Sequence, residues 1–213
     1  MNINLEILNS SYIYAPTQIE ELNTKVLVPK MVTRRRLTRA SKIAIYLNSL
    51  CEFEDGRIIF GSAFGELDAT ASILNSINSK EQISPTSFQN SVYNTAVSYL
   101  SMINKNKHEI MTISNGDETS LNILKAGAIK ALDGDTILLM GCETLNIPNI
   151  DQVNSCIDFL ECGVALKVRV TQKKANITFD DSNQQNFPKS LVTMINIAKN
   201  IDKDKVNIIE INI

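Results

Sequence analysis

Histidine is almost missing from this 213-residue chain, with His108 the only one, and tryptophan is absent. A lone histidine removes every mechanism that needs two imidazoles. The four cysteines, Cys51, Cys142, Cys156 and Cys162, are scattered with no C-x-x-C pair. Zinc sites need ligands at clustered spacings, and disulfide frameworks belong to short secreted chains, so buried free thiols are expected and no metal centre. Charge of one sign is also missing: 21 basic against 23 acidic side chains leave a net charge of −2. A protein built around nucleic-acid phosphates or an anionic membrane surface carries a large positive excess, so neither partner is expected. No apolar run approaches the roughly 18 to 20 residues of a membrane helix. Met1 to Glu6 has no basic head before an apolar stretch, unlike a signal peptide, and a cytoplasmic location is expected.

What is present is apolar residues, 44% of the chain, patterned as alternating strands and helices. Ile3 to Leu8 reads as a short strand, and Tyr12 to Lys30 as polar and irregular. From Thr33 a helical period runs through Leu37, Ala40, Ile43, Ala44, Leu47 and Leu50. Arg57 to Gly61 is a short apolar run ended by glycine, the pattern of a buried strand. Leu67, Ala71, Leu74 and Ile77 mark another helix. Ser84-Pro85 reads as a helix entry, with Phe88, Val92, Ala96, Leu100 and Ile103 following at helical spacing. Ile110 to Ile113 is a strand, Ser114-Asn115-Gly116 a tight turn, and Leu121 to Leu132 a helix. Asp133-Gly134-Asp135 breaks that helix before the strand Ile137 to Gly141. Leu166, Val168 and Val170 alternate with Lys167 and Arg169 as in a strand with one wetter face. Thr171 to Pro188 is polar, with Ile177 and Phe179 its strand hints; a last helix carries Leu191 to Ile201, and Val206 to Ile213 is a last strand. The alternation predicts a layered α/β domain around a mostly parallel sheet.

The segment Ile83 to Glu143 resembles the core of the β-ketoacyl synthases, the condensing enzymes of fatty-acid and polyketide synthesis, in the thiolase-like superfamily. Ile83-Ser84-Pro85, Asn94, Leu100, Ile110 to Ile113 and Gly134-Asp135 fall where that family places its helix head, helix asparagine, strand and turn. Arg34-Arg35-Arg36-Leu37 and Gly61 to Leu67 resemble the N-terminal synthase-like branch that accompanies aryl-polyene-type gene clusters. The likeness covers roughly residues 30 to 147. It implies a thiolase-like half-domain, one domain over 1–213, with three α/β/α layers and a mixed sheet of about five strands.

In gapless register the family's nucleophilic cysteine falls on Asp117, with Glu118 beside it. A helix N-terminus favours a thiolate and offers N–H groups to an oxyanion. Carboxylates there cannot carry an acyl chain as a thioester, and they read as caps of the helix. The family also uses histidines or a lysine from a C-terminal half, and this chain is about half the length that fold requires. His108 lies in a polar loop and reads as solvated. A serine acyltransferase built on Ser114 or Ser120 would need Asp117 or Glu118 as its base, and those are better explained as caps. Gly61 to Gly65 and Ser114 to Gly116 match neither phosphate-loop nor dinucleotide spacing. Asp180-Asp181 has no further carboxylates at calcium-loop spacing and reads as a solvated turn.

No cofactor is therefore expected. The resemblance implies a non-catalytic, chain-length-factor-like partner of a full-length ketosynthase, with Phe88, Val92, Tyr93 and Asn94 facing the acyl tunnel or the dimer. Its alternative is a stand-alone homodimer that holds an acyl chain or an acyl carrier protein. Arg34, Arg35, Arg36 and Arg39, four arginines within six positions, make a local positive field. That field suits an acidic acyl carrier protein; the other reading is a solvated face with internal salt bridges.

Overall fold

The computed structural model describes residues 1–148, 157–178, 187–202 and 204–213. Readings placed on Cys156, Phe179, Asp180 and Asp181 lie outside these residues. Six strands form one sheet: β1 (Asn2–Ala15), β2 (Arg57–Gly61), β3 (Ile110–Ile113), β4 (Ile137–Thr144), β5 (Glu161–Val170) and β6 (Asn207–Asn212). Their spatial order is β3-β2-β4-β5-β1-β6. β2 runs parallel to β3 and to β4, whereas β5 is antiparallel to β4 and β1, and β6 to β1. The sheet is thus mixed, as the resemblance implied, with six strands among the described residues; it is not the mostly parallel sheet that the alternation alone suggested. Apolar periodicity reports which faces are buried but carries no information on strand direction.

β4 is buried along its whole length, and its alternate side chains serve two cores. Ile137 and Leu139 join Val164, Leu166, Val168 and Ile209 on one face, under α7 (Thr119–Ala131) and α8 (Lys189–Lys199). Leu138, Met140 and Cys142 join Ile58 and Phe60 on the other, under α3 (Arg39–Leu50) and α6 (Thr95–Asn104). This gives the three layers. Gly127 lets α7 come close: a Cβ there would lie 2.3 Å from the Leu139 side chain.

Three segments differ from the sequence reading. β1 continues through Tyr12 to Ala15, pairing with Cys162 to Val164 and Glu161 of β5. The period starting at Thr33 splits into α2 (Met31–Arg34), which follows the short α1 (Thr24–Leu27), and α3, whose N-cap Thr38 accepts the Ser41 N–H. The helix expected from Pro85 through Ile103 splits into α5 (Pro85–Asn90) and α6. α5 and the preceding α4 (Leu67–Asn78) contain no buried residue.

Candidate functional site

The parallel strands β2, β3 and β4 end on the same side of the sheet, the side where ligands bind in open α/β folds. Here β3 leads through Ser114 and Asn115 into a short 3₁₀ turn, Gly116–Glu118, and then α7. Gly116 adopts φ +51°, and a Cβ there would meet nothing, so the turn is open to solvent. The turn is closed by Thr119, whose buried hydroxyl donates to the Gly116 carbonyl (2.7 Å) and accepts from the Asn115 N–H (3.1 Å).

Asp117 and Glu118 behave differently from the caps expected of them. Glu118 makes no side-chain capping bond to α7. Asp117 instead faces Lys189 at the start of α8, 3.6 Å away, with both side chains mostly exposed. Ser114 is exposed. Ser120 is buried, and its hydroxyl donates to the Ser190 carbonyl. His108 stands before β3, at the end of that strand opposite Asp117, with Nε2 3.2 Å from Asp55 Oδ2. It is exposed and lies at the wrong end of the sheet to serve the turn. Cys51, Cys142 and Cys162 are buried. Burial pushes the Cys51 thiol up to about 11 and the other two well above the usual range, so none offers a thiolate near neutral pH.

Three buried carboxylates at this end were missed. Glu143, near the end of β4, is fully buried. It accepts the Ser62 hydroxyl (2.7 Å), the Ser190 hydroxyl (2.7 Å) and the Ala63 N–H (2.6 Å), with the Phe64 N–H at 3.4 Å. Desolvation raises its pKa and the four donors oppose that rise. It ties β4, the loop after β2 and the first turn of α8 together. Glu161 accepts the Arg39 guanidinium and the Ile19 N–H. Glu66 accepts the Thr38 hydroxyl at 2.7 Å. The signal for Glu143 was an acid directly following Ile137 to Cys142, a run apolar on both faces. A charge at the end of such a strand is kept only where donors meet it.

The four arginines have different fates. Arg39 is held by Glu161 and the Ile19 carbonyl. Arg34 donates to the Val28 and Pro29 carbonyls. Arg35 and Arg36 are exposed. Phe88, Val92, Tyr93 and Asn94 are all exposed, Phe88 by 67%. Tyr93 lies over the loop after β2: its hydroxyl donates to the Ala63 carbonyl at 3.4 Å, and a Cβ on Gly65 would sit 3.2 Å from its ring. Through that loop Tyr93 connects to Glu143; Phe88 and Val92 project outward. Among the described residues no group of three His, Cys, Asp or Glu side chains is placed to hold a metal ion, and no helix is long and apolar enough to cross a membrane.

The fold is shared with solved condensing-enzyme complexes. A chain of the ketosynthase ApeO in complex with its chain length factor ApeC from Xenorhabdus doucetiae superposes with TM-score 0.65 at 23% identity, over 78% of this chain and 79% of that one. The ishigamide ketosynthase/chain length factor gives 0.61 at 12%, over 83% of this chain and 64% of that one. AntDE:AntF, a type II polyketide synthase acyl-carrier protein in complex with its ketosynthase bound to the hexaketide, gives 0.64 at 11%, over 81% and 64%. The chain therefore spans less than two thirds of the matched chains in the last two. No curated protein sequence matches it. Residues 10–208, nearly the whole chain, match the family described as Beta-ketoacyl synthase, N-terminal domain, and the chain belongs to that family.

Proposed function

We propose that this chain is a non-catalytic, chain-length-factor-like subunit that pairs with a full-length condensing enzyme in fatty-acid or polyketide-type synthesis of the aryl-polyene kind. One observation carries the reading: the turn into α7, where the family's nucleophile belongs, presents Asp117, engaged with Lys189. A carboxylate there supplies no thioester, and the single histidine sits at the far end of β3. The solved complexes of a ketosynthase with its chain length factor, and of a ketosynthase with its carrier protein, support an assembly of this kind. So does the exposed apolar surface of Leu74, Ile77, Phe88, Val92 and Tyr93, which a partner subunit would cover. Phe88, Val92, Tyr93 and Asn94 then line the contact or the acyl tunnel beside it. Arg35 and Arg36 are the arginines available to an acidic carrier protein.

The test is co-expression with a full-length condensing enzyme, followed by light scattering and an acylation assay. A complex with that enzyme is expected, with no acylation of this chain by acyl thioesters and no decarboxylation of a malonyl thioester by it alone. Asp117→Cys should not confer condensation, since the imidazoles are missing too. A self-dimer indifferent to the synthase would favour the stand-alone scaffold. Turnover by this chain alone that Ser114→Ala or Ser120→Ala abolishes would overturn the non-catalytic reading.

A further inference from the structure

Residues 67–90 form α4 and α5, two helices with no buried side chain. α4 packs chiefly on α5, so the pair has little apolar hold on the body. Its attachment lies at its two ends. At the first, Gly65 turns the chain with φ +63°, and Glu66, which immediately precedes α4, is only 5% exposed. The carboxylate of Glu66 accepts the Thr38 hydroxyl from the cap of α3. The carbonyl of Glu66 accepts both the N–H and the hydroxyl of Thr70, which binds the first turn of α4 to the same residue. At the second end, the Thr95 hydroxyl donates to the Asn90 carbonyl.

We propose that residues 67–90 are a hinged flap and Glu66 its latch, held while the carboxyl is protonated and loosened when it ionises. The groups about the latch offer little to offset a charge. Thr38 and, behind it, Ser41 are neutral. Asp68 of α4 adds like charge. Cys142 of β4 also senses Glu66, and burial keeps its thiol neutral. Arg39, next along α3, is held by Glu161, and Glu143 keeps its own donors. Burial, the larger effect, raises the Glu66 carboxyl from 4.5 to about 7, against the Thr38 hydrogen bond.

The sign follows from linkage. A released Glu66 faces water and titrates at its ordinary value, so ionisation favours the open flap, and opening becomes easier as pH rises toward and through the latched value. With those two values the opening constant grows about tenfold from about pH 6 to about pH 8. The flap is also the face assigned above to a partner, but the test needs none, so either reading can fail without the other.

Hydrogen exchange of the 67–90 amides on the chain alone, corrected for the intrinsic rate, is expected to show that tenfold loss of protection while β4 amides do not. Glu66→Gln, neutral at every pH, should flatten the profile. Thr38→Val removes a donor to the ionised form and should move the midpoint upward, with Thr38→Ser leaving it in place. Protection in 67–90 that is flat with pH in the wild type, or a Glu66→Gln profile with the wild-type slope, would overturn the proposal.

Discussion

β4 and the α4–α5 segment are opposite ways of using apolar residues. Every residue of β4 is buried, whereas Leu74 and Ile77 of α4 are each 55% exposed. Both segments show clean apolar patterns in sequence. The difference lies in what covers them: β4 has strands on both sides and helices on both faces, and α4 is covered chiefly by α5. An apolar pattern therefore marks a surface that needs a cover, and the cover can belong to another molecule.

The sharpest break of that contrast is at the sheet end. Arg39→Ala strands the buried Glu161 carboxylate and should cost about 3 to 5 kcal/mol in urea unfolding. Leu139→Ala, in the fully buried part of β4, should cost about 2 to 5 kcal/mol by the same measurement. Glu143→Ala removes the acceptor of two serine hydroxyls, which can rotate to other partners, and of the Ala63 N–H, which cannot, and should cost about 1 to 3 kcal/mol. Glu143→Gln should cost less, because its carbonyl can keep the Ala63 N–H and the Ser190 hydroxyl while the Ser62 hydroxyl rotates to accept from its amide. On the α4 side, Leu74→Ser with Ile77→Ser should stay within about 0.5 kcal/mol of the wild type in unfolding while weakening the proposed association with a condensing enzyme. Smallest of all, Arg35→Ala with Arg36→Ala should leave unfolding unchanged and weaken the proposed carrier-protein binding several-fold at low salt, an effect lost as salt rises. Equal unfolding costs for Leu139→Ala and the α4 pair would erase the distinction.

Buried runs were the legible part of the fold. β2 and β4 stand out because packing on both faces leaves almost only apolar residues between turn signals, β3 by its short apolar run although it is half-buried at the sheet edge, and α7 and α8 by their apolar spacing. The latter half of β1 was hidden because Tyr12 and Tyr14 are only partly covered and alternate there with Ile13 and Ala15. The break between α5 and α6 was hidden because Phe88 and Val92 keep helical spacing with Ala96 although neither is buried. At the site, position 117 was reached only through the family resemblance and its gapless register, not from the residues by themselves. The carboxylates that organise its surroundings were not reached, because Glu66, Glu143 and Glu161 become partners of Thr38, Ser62 and Arg39 only through contacts 28, 81 and 122 residues apart in the chain.

The strand order also governs how the chain assembles on the ribosome. Among the described residues β1 pairs only with β5 and β6, and its register partners begin at Glu161 and Asn207. It therefore emerges first among the strands and waits, with both edges open, until most of the polypeptide has been made. Pairings this distant are slow to close, and an unpaired edge is a site for aggregation. Synthesis that pauses between α7 and β5 should lower the soluble yield more than a pause of equal length after β6, because only the first leaves β1 without any partner.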